Sequence, residues 1–238
     1  MKKLFSALLV IINLNCFAQS NKWFVSFTTA ASIGGPAASL RHQMKAQGYG
    51  DQAESSFVIF GSGTTKYPRG GVATLLATGG KKITDKRSIY FVAGASEKGT
   101  IEGFDAQGYS DGIFGLFAGT YGNHVSVSYT IYQLTAGYMY ALSNSRTKLG
   151  FGPSLYVFDY GISENFAPKE KHSSIVPGIA FNTRIPFGKE RKLIGLELVF
   201  NGNMAPPVKM KSEHTEGFQP KSANMFSFNA GLALCFRR

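Results

Sequence analysis

Two short stretches place a histidine and a serine where an extended strand would show them on one face. His124-Val125-Ser126 and His172-Ser173-Ser174 each set an imidazole two residues before a hydroxyl, and residues two apart share a face of a strand. That is the pairing by which a general base activates a serine nucleophile. Two matches in one serine-rich chain make the pattern weak, and no matching acidic residue stands nearby in sequence to orient His124. A metal centre is the second possible chemistry. The four histidines, His42, His124, His172 and His214, fall in or beside different expected loops, with no paired H-x3-H spacing. The third is electrostatic. Asn182, Arg184, Glu197 and Asn201 share the inward parity of two consecutive expected strands. Antiparallel pairing across the 186–192 turn is expected to bring Glu197 near Asn182 and diagonal to Arg184. Because a buried charge needs a partner, these four are expected to form a structural network filling a barrel lumen, with a proton or ion path as the lesser reading. No residue is assigned a catalytic, cofactor-binding or metal-ligating role.

The elements that would carry these residues are strands. Over 224–238, Phe226, Phe228, Ala230, Leu232, Leu234 and Phe236 fall on one parity. Met225, Ser227, Asn229, Gly231, Ala233 and Cys235 fall on the other. That is a period of two with one face wholly apolar. Similar alternation predicts strands over 23–31, 71–78, 88–99, 125–142, 148–160, 175–185 and 193–203, making eight with the last. Pro153 interrupts the fifth and is expected to mark a bulge, since proline donates no ladder hydrogen bond. A short helix is expected over 36–47, with Pro36 at its first position, Leu40 and Met44 one turn apart, and Gly48 as its stop. An apolar stripe on an exposed helix docks somewhere: over the barrel mouth as a lid, or against a surface lipoprotein or another barrel. The connections after strands 1, 3, 5 and 7 are long and those after 2, 4 and 6 short. An all-β, eight-stranded, antiparallel up-and-down transmembrane barrel has this asymmetry, with long loops outside and short turns in the periplasm.

Composition agrees. There are 20 Phe, 11 Tyr and 28 Gly, with only 16% charged residues. No stretch after the first turns of the chain approaches 18 consecutive apolar residues, so transmembrane helices are not expected. Residues 1–18 read as a signal peptide: Lys2 and Lys3, an apolar run over 4–14, then Cys16-Phe17-Ala18 before the cut. Residues 19–238 form the single barrel domain, with Cys235 its only cysteine. The net charge of +11 raises a nucleic-acid reading, which the placement of the charge removes. Lys22, Lys81, Lys82, Lys86, Arg87, Arg146, Lys148, Lys189, Arg191, Lys192, Arg237 and Arg238 all fall at the short-turn end, against Asp85 and Glu190. A basic rim there suits the anionic headgroups of outer-membrane lipid. Trp23 and Phe236 should meet at that rim when the last strand closes on the first, as part of an interfacial aromatic girdle.

The export signal, eight alternating strands, unequal connections and Phe236-ended terminal strand together resemble the small Gram-negative outer-membrane β-barrel family (OmpA/OmpX-like and PorT-like barrels). The likeness covers essentially all of 19–238 and is architectural, without a catalytic motif. It implies an outer-membrane location with both termini periplasmic, and the barrel-assembly machinery as a partner during biogenesis. It also implies a structural or surface-binding role through the outer loops, with no cofactor and no catalysis. Two alternatives stay open. One is a narrow channel, or a transport or assembly accessory of a larger complex. The other is a lipid-A-modifying enzyme, since lipid A deacylases in such barrels use an H-x-S pair.

Overall fold

In a computed structural model, residues 23–50, 69–105, 124–142, 146–164, 169–187, 193–213 and 217–237 are described. The expected signal peptide, His214, and Lys22, Lys189, Glu190, Arg191, Lys192 and Arg238 of the basic rim lie outside them. Eight long strands follow in order: β1 (Trp23–Gly34), β2 (Arg69–Lys82), β3 (Arg87–Asp105), β4 (His124–Ala141), β5 (Lys148–Glu164), β6 (His172–Phe187), β7 (Ile194–Met204) and β8 (Ser227–Arg237). Each pairs antiparallel with the next. β8 then pairs with β1 from Phe24↔Arg237 to Gly34↔Ser227, which closes the ring. The one helix among the described residues, α1 (Gly35–Ala46), follows β1. Closure leaves none of the eight strands at an edge of the sheet along its whole length.

Period-2 alternation decides which face each residue takes. On β8, Phe228, Leu232, Leu234 and Phe236 point out while Ser227, Asn229, Ala233 and Cys235 are buried inside. β6 sets Ile175, Ile179 and Phe181 outward against Val176, Ala180, Asn182 and Arg184. β3 and β5 run further toward the loops than alternation alone predicts, and the loop-ward halves of β3, β4 and β5 reverse the rule. In β4, outward Tyr132, Leu134 and Tyr138 give way to His124, Ser126, Ser128 and Thr130. Over the same stretch, inward Gln133 and Thr135 give way to Val125, Val127, Tyr129 and Ile131. The ring is thus apolar outside and polar inside at its turn end, and polar outside and apolar inside at its loop end.

Two irregularities differ from expectation. Pro153 makes no bulge: Thr135↔Ser154 and Tyr138↔Phe151 keep one register on either side of it, and Pro153 still pairs with Ile179 of β6. The missing N–H costs only the bridges to β4 between those pairs. The bulge lies instead in β3, where register with β4 shifts between Ala95 and Glu97. Ser96 and Glu97 consequently both turn inward, as an extra residue in one strand requires.

Candidate functional site

The loop end of the ring is closed by its own chain. Leu40 and Met44 of α1 are fully buried, in one apolar cluster with Ile101, Val127, Phe158 and Ile162 of the strands and with Phe218 and Met225 of the 205–226 connection. Burying two such side chains stabilises by about 1.5–3 kcal/mol each. Leu40 and Met44 thus face the interior at the loop end of the ring, one of the two places expected for this stripe.

Polar contacts hold the helix at both ends. Its N-cap, Gly34, has no side chain to offer the free backbone donors of the first turn. Glu97, from the β3 bulge, takes that role by accepting from the Ala37 N–H. It also accepts from Tyr129 Oη at 2.5 Å and Ser32 Oγ at 3.0 Å. Gly35, at φ 62°, passes so close that a Cβ there would lie 2.5 Å from Glu97 Oε2, a place only glycine fits. On the opposite side, Gln43 donates to Ser222 O (2.6 Å) and accepts from Lys221 N (2.7 Å). One turn on, Gln47 donates to Gln219 O and accepts from Gln219 N, both at 2.9 Å. The two amides grip the backbone of the last connection as a neighbouring strand would. Deeper in the outer half, Tyr160 stacks on His172 (4.9 Å between ring centroids) and its oxygen accepts from Lys211 N at 2.9 Å.

Below the plug, Arg184 and Glu197 pair at 3.2 Å with almost no exposure (1% and 2%). Arg184 Nη2 donates to Ser26 Oγ at 2.5 Å, and its guanidinium lies 5.9 Å from the Phe24 ring centroid. Asn182 donates to Asn201 at 2.5 Å. The expected neighbours of one residue change. Asn182 is opposite Asn201 and Glu197 is opposite Pro186, so Glu197 meets Arg184 and stands well away from Asn182. The observed register is displaced by four residues from the expected one, with Phe187↔Leu196 the last pair before the turn.

The other sequence candidates separate. Trp23 and Phe236 both lie on the outer face at the turn end, but Phe236 is opposite Val25, with Trp23 on the diagonal. Trp23 carries Lys81 Nζ over its ring at 5.3 Å. The described basic residues of that end, Lys81, Lys82, Lys86, Arg87, Arg146, Lys148 and Arg237, are set against Asp85, which pairs with Lys82 at 3.3 Å. His124 packs on Phe104 (4.6 Å between centroids). Register places Glu102 opposite Ser126, an acidic neighbour from another strand that sequence distance hid. His172 contacts Glu170 Oε2 at 3.3 Å, and His42 is exposed on α1. Among the described residues, no group of three or more His, Cys, Asp or Glu could hold a metal ion. Glu97, Gln43 and Gln47 escaped sequence reasoning; for the glutamines, the i, i+4 spacing on α1 was the available signal.

No protein-family model and no curated protein sequence matches the chain. Among solved structures, it is similar to Ail, the attachment invasion locus protein of Yersinia pestis, at TM-score 0.40 and 9% identity over 92% of this chain and 100% of that one. It is similar also to the outer membrane protein AlkL in lipid bilayers, at TM-score 0.43 and 11% identity over 93% and 92%. The outer membrane protein OprG from Pseudomonas aeruginosa gives TM-score 0.42 and 10% identity over 93% and 98%. At such overlap and identity, the fold rests on the closed register and the burial pattern of the chain itself.

Proposed function

We propose that the chain is an integral outer-membrane β-barrel, inner lumen filled and outer end capped, which serves a structural or surface-binding role and catalyses nothing. The observation that carries this reading is the outer face of the ring. Leu134, Tyr138, Phe151 and Ile175 are 59%, 62%, 61% and 68% exposed, and they belong to a continuous apolar band rather than to scattered positions. Such a band is far larger than a water-soluble surface tolerates, and it is what hydrocarbon requires around a spanning barrel. Both ends of the described chain, Trp23 and Arg237, lie at the short-turn end, beside the basic rim. That suits a periplasmic placement against anionic lipid, with the barrel-assembly machinery as partner during insertion.

The capped mouth favours a binding platform over a channel. Arg184, Tyr90 and Tyr156 fill the lumen, and α1 and the 205–226 connection cover it; an eight-stranded ring has room for little more than side chains. A partner, whether another outer-membrane protein or a lipoprotein, would meet the outer surface of this cap. The decisive experiment is gel mobility of outer-membrane fractions with and without boiling. A folded barrel migrates differently before and after heating. Recovery of the protein in the soluble periplasmic fraction overturns the reading. Stable single-channel openings in a planar bilayer would move the role to conduction.

A further inference from the structure

The outer faces of β3, β4, β5 and β6 meet in a groove of about 640 Å³ that the account so far leaves unused. One row across the four strands runs Lys98–Thr130–Asp159–Ser173. The neighbouring row toward the turn end runs Ala95–Tyr132–Val157–Ile175. A single step along the strands therefore takes the outer face from the apolar band to hydroxyls and charge. One pair further toward the loops, Thr100 faces Ser128 and Ser128 faces Gly161.

Two more lysines come from the connection before β6. Its backbone is pinned: Glu170 N donates to Ile162 O at 2.9 Å, and the Glu170 carboxylate turns away to His172 and to Glu213 N. Alternate residues then project the other way, and both Lys169 and Lys171 line the groove. Lys169 lies flat across Gly161, where a Cβ would come within 2.5 Å of its Cε, and its ammonium donates to Ser128 Oγ. Asp159 is the single carboxylate among the described residues that line the groove, and Ser173 Oγ donates to it at 2.6 Å. None of the three lysines enters an ion pair among the described residues.

We propose that this groove binds a phosphate group, and that its resident ligand is the phosphorylated headgroup of an outer-leaflet lipid. Three ammonium donors with Thr100, Ser128 and Thr130 hydroxyls supply the charge and the short donors that a phosphate accepts from. The groove opens sideways on the barrel wall, at the edge of the apolar band, where a headgroup sits when its chains lie against Tyr132, Val157 and Ile175. This assignment rests on the membrane reading above. A free phosphate has the same chemistry without the chains, and only the lipid gains from the apolar row beside the groove.

The test uses the full mature chain in nanodiscs of phosphatidylcholine doped with phosphatidic acid, a lipid whose headgroup is phosphate alone. Retained lipid is read by native mass spectrometry. Wild type should enrich phosphatidic acid over phosphatidylcholine. The triple variant Lys98→Gln, Lys169→Gln, Lys171→Gln should lose enrichment by about fivefold per lysine removed, and the wild-type preference should fall as salt rises. Gly161→Ala keeps every charge, but its Cβ would meet Lys169 Cε and the Glu170 carbonyl oxygen, each at 2.5 Å, so it displaces the connection and should lose about the share of Lys169 and Lys171 together. Equal enrichment in wild type and the triple variant overturns the proposal. Inorganic phosphate is the second probe: lysine-dependent binding of it in lipid-free micelles, with no preference for phosphatidic acid in nanodiscs, keeps the phosphate site and overturns the lipid as its occupant. Heat-shifted gel mobility of every variant keeps this result separate from failure of the membrane reading.

Discussion

Replacing Glu97 separates the cap from the barrel that carries it. The side chain is fully buried and accepts from three groups: Tyr129 Oη, Ser32 Oγ and the Ala37 N–H at the start of α1. Glu97→Ala leaves all three donors facing a void. An orphaned buried donor costs about 1–3 kcal/mol, and loss of a helix cap about 1 kcal/mol. Water entering from the mouth will satisfy some of this, so a net loss of about 3–5 kcal/mol is expected. Glu97→Gln keeps one oxygen acceptor and the volume, and exchanges charged hydrogen bonds for neutral ones, for a loss of about 1–2 kcal/mol. The assay is urea unfolding of the refolded barrel in lipid vesicles, followed by fluorescence of Trp23, the sole tryptophan of the chain. Amide exchange over 37–46 is measured alongside, because the helix should open before the ring does. The order wild type, Gln, Ala should hold in both measurements. An Ala variant within about 0.5 kcal/mol of wild type, a scatter usual for a surface change, with α1 exchange unaltered, refutes the idea that Glu97 holds the plug.

Three further outcomes are expected. Arg184→Ala strands Glu197 in the lumen and should cost about 3–5 kcal/mol, whereas replacing both by apolar residues of similar size should recover most of it; vesicle unfolding measures each. Leu134→Arg places a charge on the apolar band and should cost about 2–4 kcal/mol, while Thr130→Arg, four residues toward the loops, should cost about 0–1 kcal/mol. Comparing the two locates the edge of the hydrocarbon. His124→Ala, read by mass spectrometry of lipid A, should leave the profile of the parent strain unchanged; a profile altered in the variant and in a full deletion alike would make the His124–Ser126 face enzymatic.

The architecture was legible because a strand writes its environment in period two, a signal that needs no knowledge of neighbours. Phe226 to Phe236 face outward as the alternation requires, and Cys235 is buried and free. α1 was legible too, from Pro36, the Leu40–Met44 spacing and Gly48. Its seat stayed open between the barrel mouth and a partner. An apolar stripe says that a face is covered, never by what, and the cover comes from strands and from a connection far along the chain. The same limit hid the polarity reversal in β4. Val125 and Val127 alternate with Ser126 and Ser128 as regularly as Leu134 alternates with Thr135, yet inside and outside exchange roles between them.

What the sequence determined alone is therefore local and periodic: eight strands, their inward and outward parities, one helix, and the uneven distribution of basic residues between two ends. What only the tertiary structure decided is which parities meet. Register sets Arg184 against Glu197 and Asn182 against Asn201, the β3 bulge turns Glu97 under the helix, and a folded-back connection lays Lys169 beside Ser128. Each of these joins residues on different strands or connections. Their distance depends on turn geometry and on the stagger of a closed ring, quantities set by all eight strands together and by no one stretch of them.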